Sequence, residues 1–224
     1  MMIPDHTAAR NGPRAPGRDI IVIGASAGGV DALQRLVAGL PPELPAAIFV
    51  VIHQPPWHRS ELPSILSSKS PLPALQAEAE QPFLYGRIYV ASPDYHLMIE
   101  RECIQLWRGP KENRHRPAIN TLFRSAAATH GRRVIGVILS GTLDDGTTGL
   151  WWIKKYGGLA IVQDPDEARF PEMPRSALEH VAVDYVVRLS EIGPLLGGLV
   201  TGNKSPHGAR TPIEEHIPWK RNKY

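Results

Sequence analysis

The sequence predicts an α/β fold: a doubly wound, mostly parallel sheet with helices on both faces and one antiparallel hairpin. Two patterns carry this expectation. From residue 18 to about 200, short β-branched runs alternate with segments of helical apolar period, the order that builds a layered parallel sheet. The first run, Ile20-Ile21-Val22-Ile23, passes into Gly24-Ala25-Ser26-Ala27-Gly28-Gly29, a tight strand-to-helix turn.

The bulk composition sets bounds. A chain of 224 residues with 42% hydrophobic content can fill one core, with residues 18–200 as the domain, 1–17 as a flexible leader and 201–224 as a polar, basic tail. No apolar run is long enough to span a bilayer, and the N-terminus lacks a signal architecture. The lone Cys103 excludes an internal disulfide and fits a reducing compartment, so the expected location is cytoplasmic. The net charge is only +3, and its basic residues gather partly at the ends (Arg10, Arg14 and Arg18; Lys204, Arg210, Lys220, Arg221 and Lys223). No recognition motif accompanies them, so no nucleic-acid partner is expected.

The elements follow in order. Val30, Leu33, Leu36 and Val37 mark the helix after the first strand. Ala47–Ile52 is the second strand, closed by His53-Gln54. A loop at Pro55-Pro56-Trp57-His58 leads to a helix around 59–68, with Ser60 as its N-cap. Residues 70–83 are proline-broken. Gly86–Ala91 is a short strand, and His96–Glu100 with Cys103–Trp107 form a hairpin around Glu100-Arg101-Glu102. After a charged loop at 109–117 come a helix at 118–130 and a buried strand at Val134–Leu139. A helix at Thr147–Tyr156 is ended by Gly157-Gly158. A strand at Leu159–Gln163, a helix from Met173 to His180, a strand at Asp184–Arg188 and a helix at Ile192–Val200 complete the pattern.

The glycine-rich turn admits two chemistries. One is a phosphate or dinucleotide cradle; the other is a nucleophile elbow, since Gly24-x-Ser26-x-Gly28 fits that pattern. A dinucleotide site wants a carboxylate after the second strand to hold the ribose, and this chain has His53 there. An imidazole at that strand end is instead where a general base would reach Ser26. Asp144 and Asp145 follow the strand at 134–139, so a serine, a histidine and an acid all fall at carboxyl ends of strands, on one predicted rim. Serine becomes a competent nucleophile when an imidazole takes its proton and a carboxylate fixes the imidazole tautomer. The chain order Ser, His, Asp differs from that of α/β-hydrolases and disfavours that fold. No histidine has partners at metal-ligand spacing, so neither a metal nor another cofactor is expected.

Six separated segments give the chain a resemblance over residues 18–200 to the catalytic domain of the CheB-type protein-glutamate methylesterases of bacterial chemotaxis. They are Ile-Gly-Ala-Ser-Ala-Gly-Gly (23–29), Val-Val-Ile-His (50–53), Tyr-Val-Ala-Ser-Pro-Asp-Tyr-His (89–96), Asn-Arg-His-Arg-Pro (113–117), Val-Ile-Leu-Ser-Gly-Thr-Leu-Asp-Asp-Gly (137–146) and Met-Pro-Arg-Ser-Ala (173–177). The resemblance implies hydrolysis of γ-glutamyl methyl esters on chemoreceptor-like proteins, with deamidation of glutamine in many members. Ser26 then matches the nucleophile, His53 its base and Asp145, rather than Asp144, the orienting carboxylate. Ala27 and Thr142 match positions whose amides hold the oxyanion, and His96, Asn113, Arg114 and Arg116 match positions that line the cleft. Arg114 or Arg116 would attract an acidic receptor surface or, alternatively, pin the loop.

The chain departs from the family pattern at three places: Thr142 replaces a methionine, Leu143 replaces a glycine in the same turn, and Asn120 stands where an aspartate is usual. An altered 142–143 turn would leave a non-catalytic signalling module as the alternative. Residues 1–17 leave no room for the receiver domain that usually precedes this domain in the family, so the resemblance implies constitutive activity or control by a separate regulatory protein.

Overall fold

The computed structural model describes residues 17–54 and 60–202. Among these described residues ten strands and six α-helices are arranged along the chain. The strands are β1 (Ile20–Ala25), β2 (Ala47–Ile52), β3 (Ala74–Gln76), β4 (Gln81–Pro82), β5 (Arg87–Val90), β6 (His96–Glu100), β7 (Cys103–Trp107), β8 (Val134–Ile138), β9 (Leu159–Gln163) and β10 (Tyr185–Val187). The helices are α1 (Gly29–Ala38), α2 (Leu62–Ser67), α3 (Ile119–His130), α4 (Thr147–Lys155), α5 (Glu172–His180) and α6 (Leu189–Thr201).

Seven strands form one parallel sheet in the order β10-β9-β8-β1-β2-β5-β3. Every residue of β1, β2 and β8 is buried, which is why these strands read as unbroken apolar runs instead of alternating ones. Successive side chains still face opposite layers. Ile21 and Ile23 pack into a core shared with α1, α2 and α6. Ile20 and Val22 pack into a second core shared with α3, α4, α5 and the β6–β7 hairpin. Strand order grows from β1 through β2 to β5 and β3 on one side, then returns to β8 on the other. The reversal places a switch point at the carboxyl ends of β1 and β8, where doubly wound sheets bind their ligands.

Several boundaries differ from the sequence reading. Val30 is 40% exposed, and Ala32 takes its place on the buried face of α1. α2 begins at Leu62, although the Ser60 hydroxyl still accepts from the Leu62 amide at 3.4 Å. The proline-broken stretch contributes β3 to the sheet edge and β4 to a small antiparallel sheet with β7 and β6. α6 starts at Leu189, because Glu191 folds back onto the Arg188 amide in a capping box. The loop at Pro55–His58, the leader up to residue 16 and the tail from residue 203 lie outside the described residues. Among those described, no helix is long and apolar enough to cross a membrane.

Candidate active site

The site is assembled at the switch point from three strand ends. Ser26 follows β1, His53 follows β2, and Asp145 lies in the turn between β8 and α4. The Ser26 hydroxyl is 3.0 Å from His53 Nδ1, and His53 Nε2 is 2.8 Å from Asp145 Oδ2. A carboxylate only accepts, so Nε2 carries the proton it donates to Asp145, and the Nδ1 lone pair faces the serine O–H. The ring is therefore reversed relative to the serine-protease template, in which Nε2 faces the serine. The reversed ring is compatible with the same chemistry, because either nitrogen can act as base once the other is held protonated.

Asp145 is 2% exposed and richly bonded. Its Oδ2 also accepts the Ile119 amide at 2.7 Å, and its Oδ1 accepts the amides of Asn120 at 3.2 Å and Gly146 at 3.0 Å. The Asn113 side-chain amide approaches the same oxygen at 3.4 Å. Two of these donors are the first amides of α3, which would otherwise lack an intrahelical partner. Asp144, its exposed neighbour, takes no part in these bonds.

Two of the amides near Ser26, one in its own turn and one in the turn after β8, make no hydrogen bond to a described residue. Ser26 N–H is committed to the Ser140 carbonyl at 3.0 Å, but Ala27 and Thr142 N–H bond no described residue. Their directions follow from peptide planarity, since C=O and N–H of a trans peptide point opposite ways. The Ser26 carbonyl accepts from Gly29 inside the turn, which aims Ala27 N–H outward. The Gly141 carbonyl accepts from Met173, which aims Thr142 N–H away from α5. Gly141 is pressed against the nucleophile: a Cβ there would sit 2.8 Å from Ser26 Cβ. Leu143, which stands where the resemblance implies a glycine, keeps a tight turn here. Leu143 has φ 65°, the left-handed conformation glycine would supply, and its N–H donates to Glu172 Oε2 at 2.9 Å.

The loop residues divide into two groups. Arg116 is a loop pin: its Nε and Nη2 bond Asp94 Oδ1 at 2.9 and 2.6 Å, and its Nη1 bonds the Gly109 carbonyl. This pairing holds the Asp94 carboxyl below the usual carboxylate range. Arg114 is exposed beside it. His96 departs from the expectation that it lines the cleft. It is 1% exposed, with Nε2 donating to the Pro110 carbonyl and Nδ1 accepting the Ala118 amide, so it braces the loop against the start of α3 from within.

Four supporting residues escaped the sequence reading. His115 lies flat on His53, ring centroids 3.5 Å apart and planes 5° from parallel. It is held there by a tight hairpin in which Glu112 and His115 exchange both backbone bonds across Asn113 and Arg114, each with positive φ. Burial, and then the charge of His53, push the His115 imidazole below its ordinary pKa. Ser140 donates from its hydroxyl to the Ala27 carbonyl and accepts the Phe170 amide, and its own N–H is bound by the buried Gln163. Asn120, noted only as a departure, accepts the amides of Gly146 and Gly149 at the start of α4. Among the described residues, no group of three or more His, Cys, Asp or Glu could hold a metal ion.

Comparison with known proteins points to one family. The family profile described as CheB methylesterase matches residues 21–196. A Methanosarcina acetivorans protein named protein-glutamate methylesterase/protein-glutamine glutaminase 2 is 38% identical over 187 residues, covering 80% of this chain and 52% of that protein. A Leptospira interrogans protein whose name assigns the same two activities provisionally is 40% identical over 178 residues, covering 79% of this chain and 92% of its own length. The crystal structure of the Thermotoga maritima CheB methylesterase catalytic domain superposes with a TM-score of 0.79 at 35% identity, covering 83% of this chain and all of that one. With the fold, the family profile and the relatives in agreement, the chain belongs to the CheB methylesterase family.

Proposed function

We propose that the chain is a serine hydrolase of protein γ-glutamyl esters, removing methyl groups from chemoreceptor-like proteins and acting on glutamine side chains by the same route. The observation that carries the reading is the continuous Ser26–His53–Asp145 hydrogen-bond chain beside two unpartnered amides. His53 Nδ1 takes the Ser26 proton as Oγ attacks the γ-carbonyl carbon. The oxyanion is met by Ala27 and Thr142 N–H, donors that in other hydrolases cost roughly 10²–10³ in turnover when one is removed. His53 then returns the proton to the methoxy oxygen, methanol leaves, and an acyl-serine remains. Water attacks this ester with His53 again as base, freeing Ser26 and the glutamate carboxylate. On a glutamine substrate the leaving group is ammonia.

Asp145 stays ionised throughout and stabilises the imidazolium that forms at each step. Arg114, exposed at the cleft edge, offers a positive charge to an acidic receptor surface. The non-catalytic alternative rests on a disturbed 142–143 turn; against it, Leu143 takes the left-handed conformation that a glycine would supply there. Methanol release from methylated receptor membranes is the decisive assay. Ser26→Ala is expected to abolish it, together with covalent labelling by a fluorophosphonate; unchanged turnover in this variant would overturn the reading.

A further inference from the structure

Six non-glycine residues among those described have positive φ: Glu80, Asp94, Arg101, Asn113, Arg114 and Leu143. Five are charged or amide residues of turns. Leu143 alone is apolar, and its Cβ opposes the left-handed conformation. Neither its hydrogen bonding nor its burial among the described residues offsets that cost. The bond from its N–H to Glu172 is a backbone bond that glycine would make equally well. Its side chain is 52% exposed, so core burial does not compensate either. An aliphatic side chain is thus kept in water, on a strained backbone, at a position where glycine would relieve both penalties. Strain of this kind, when it adjoins a reaction centre, points to a contact made only in the complex.

The location fits such a contact. Leu143 comes directly after Thr142, whose N–H the proposed mechanism assigns to the oxyanion, and two residues after Gly141, which abuts Ser26. Phe170, half-buried, adds apolar surface to the same rim: its carbonyl accepts the Gly141 N–H, and its ring edge comes within 3.2 Å of where a Cβ on Gly28 would lie. We propose that Leu143 is a specificity-determining residue, its side chain receiving an aliphatic side chain of the substrate that flanks the reacting glutamyl ester. The proposal rests on the methylesterase reading and extends it to a substrate class: glutamyl esters with an aliphatic neighbour.

The test measures methanol release from peptides that carry one glutamyl γ-methyl ester, with leucine or serine placed in turn at each of the four positions on either side. The wild-type chain is expected to prefer leucine at one of these positions by about tenfold in kcat/KM, with the difference in KM. Leu143→Asn keeps a side chain suited to the left-handed turn but removes the aliphatic surface. It is expected to erase the preference, with kcat changed by less than threefold. Leu143→Gly, free of strain, should behave likewise and melt at a higher temperature, which separates loss of contact from loss of fold. The proposal is overturned if the wild-type chain releases methanol without a leucine preference. It is equally overturned if Leu143→Asn and Leu143→Gly keep the preference, or lose kcat equally on all peptides. Absence of Ser26-dependent release from every peptide would overturn the methylesterase reading, and this proposal with it.

Discussion

His53 carries the chemistry only if its ring stays in one orientation, and two contacts fix it. Asp145 holds Nε2 in the plane of the ring, and His115 covers one face. Burial and the adjacent His53 hold His115 below its ordinary pKa, so at neutral pH it presents an uncharged face to the imidazolium that His53 becomes. A stacked aromatic pair is worth about 0.5–1.5 kcal/mol beyond buried area, equivalent to about a three- to tenfold change in rate. His115→Ala is therefore expected to lower kcat by that factor, whereas His115→Phe, which keeps a flat ring, should stay close to wild type. Steady-state methanol release compares the two; equal losses in both would show that the stack contributes nothing. The sequence could not reveal this contact. The backbone conformation that lifts His115 over His53 requires positive φ at Asn113 and Arg114 together, and arginine gives no local signal for it. Ser26 and His53 were legible because each closely follows a β-branched run that tolerates no polar group inside it, whereas the residues alone left Asp144 and Asp145 open and only the family resemblance chose Asp145.

At the scale of elements, α3 and α4 are joined through one polar seam. The first amides of α3 hold Asp145, while Asn120, on that same first turn, holds the first turn of α4. The Asn120 carbonyl oxygen accepts Gly146 N–H at 3.1 Å and Gly149 N–H at 2.7 Å, so a side chain from a neighbouring helix does the work of an N-cap. An amide meets that need without adding a second negative charge beside Asp145. Asn120→Ala would leave the buried Gly149 N–H without its partner, while Gly146 N–H keeps Asp145 Oδ1, so a loss of about 1–3 kcal/mol in unfolding free energy is expected. Because Asp145 sits between the two helices, kcat should fall as well, and Asn120→Asp should recover more of both than Ala does. Urea unfolding and methanol release measure the two effects; an alanine variant as stable as wild type would remove the seam from the account. The start of α6 was hidden for a comparable reason. Its cap uses Arg188 with Glu191 in place of a serine or threonine signature, and Pro194 inside the helix argues against extending it.

For the molecule as a whole, these local bonds imply a definite response to acid. The segment from Asp94 to Arg116 closes the site against α3, and three of its groups titrate with shifted pKa values. Arg116 holds Asp94 below its ordinary 3.8, Arg124 holds Glu112 below its ordinary 4.5, and burial with His53 holds His115 below its ordinary 6.5. In each case the unfolded chain binds protons more readily than the folded one. Stability from each group is therefore complete above its unfolded pKa and is lost as pH falls through the folded value. The melting temperature is expected to decline first as pH drops below 6.5, through His115, and again below 4.5, through Glu112 and then Asp94. His115→Phe removes the first titrating group and should flatten the decline between pH 6.5 and 5 while leaving the lower one intact. Calorimetry from about pH 2 to about pH 8 on both chains checks this. A wild-type melting temperature that rises on acidification through 6.5, or an unaltered profile in the phenylalanine variant, would mean that the loop is not held by His115 in its uncharged form.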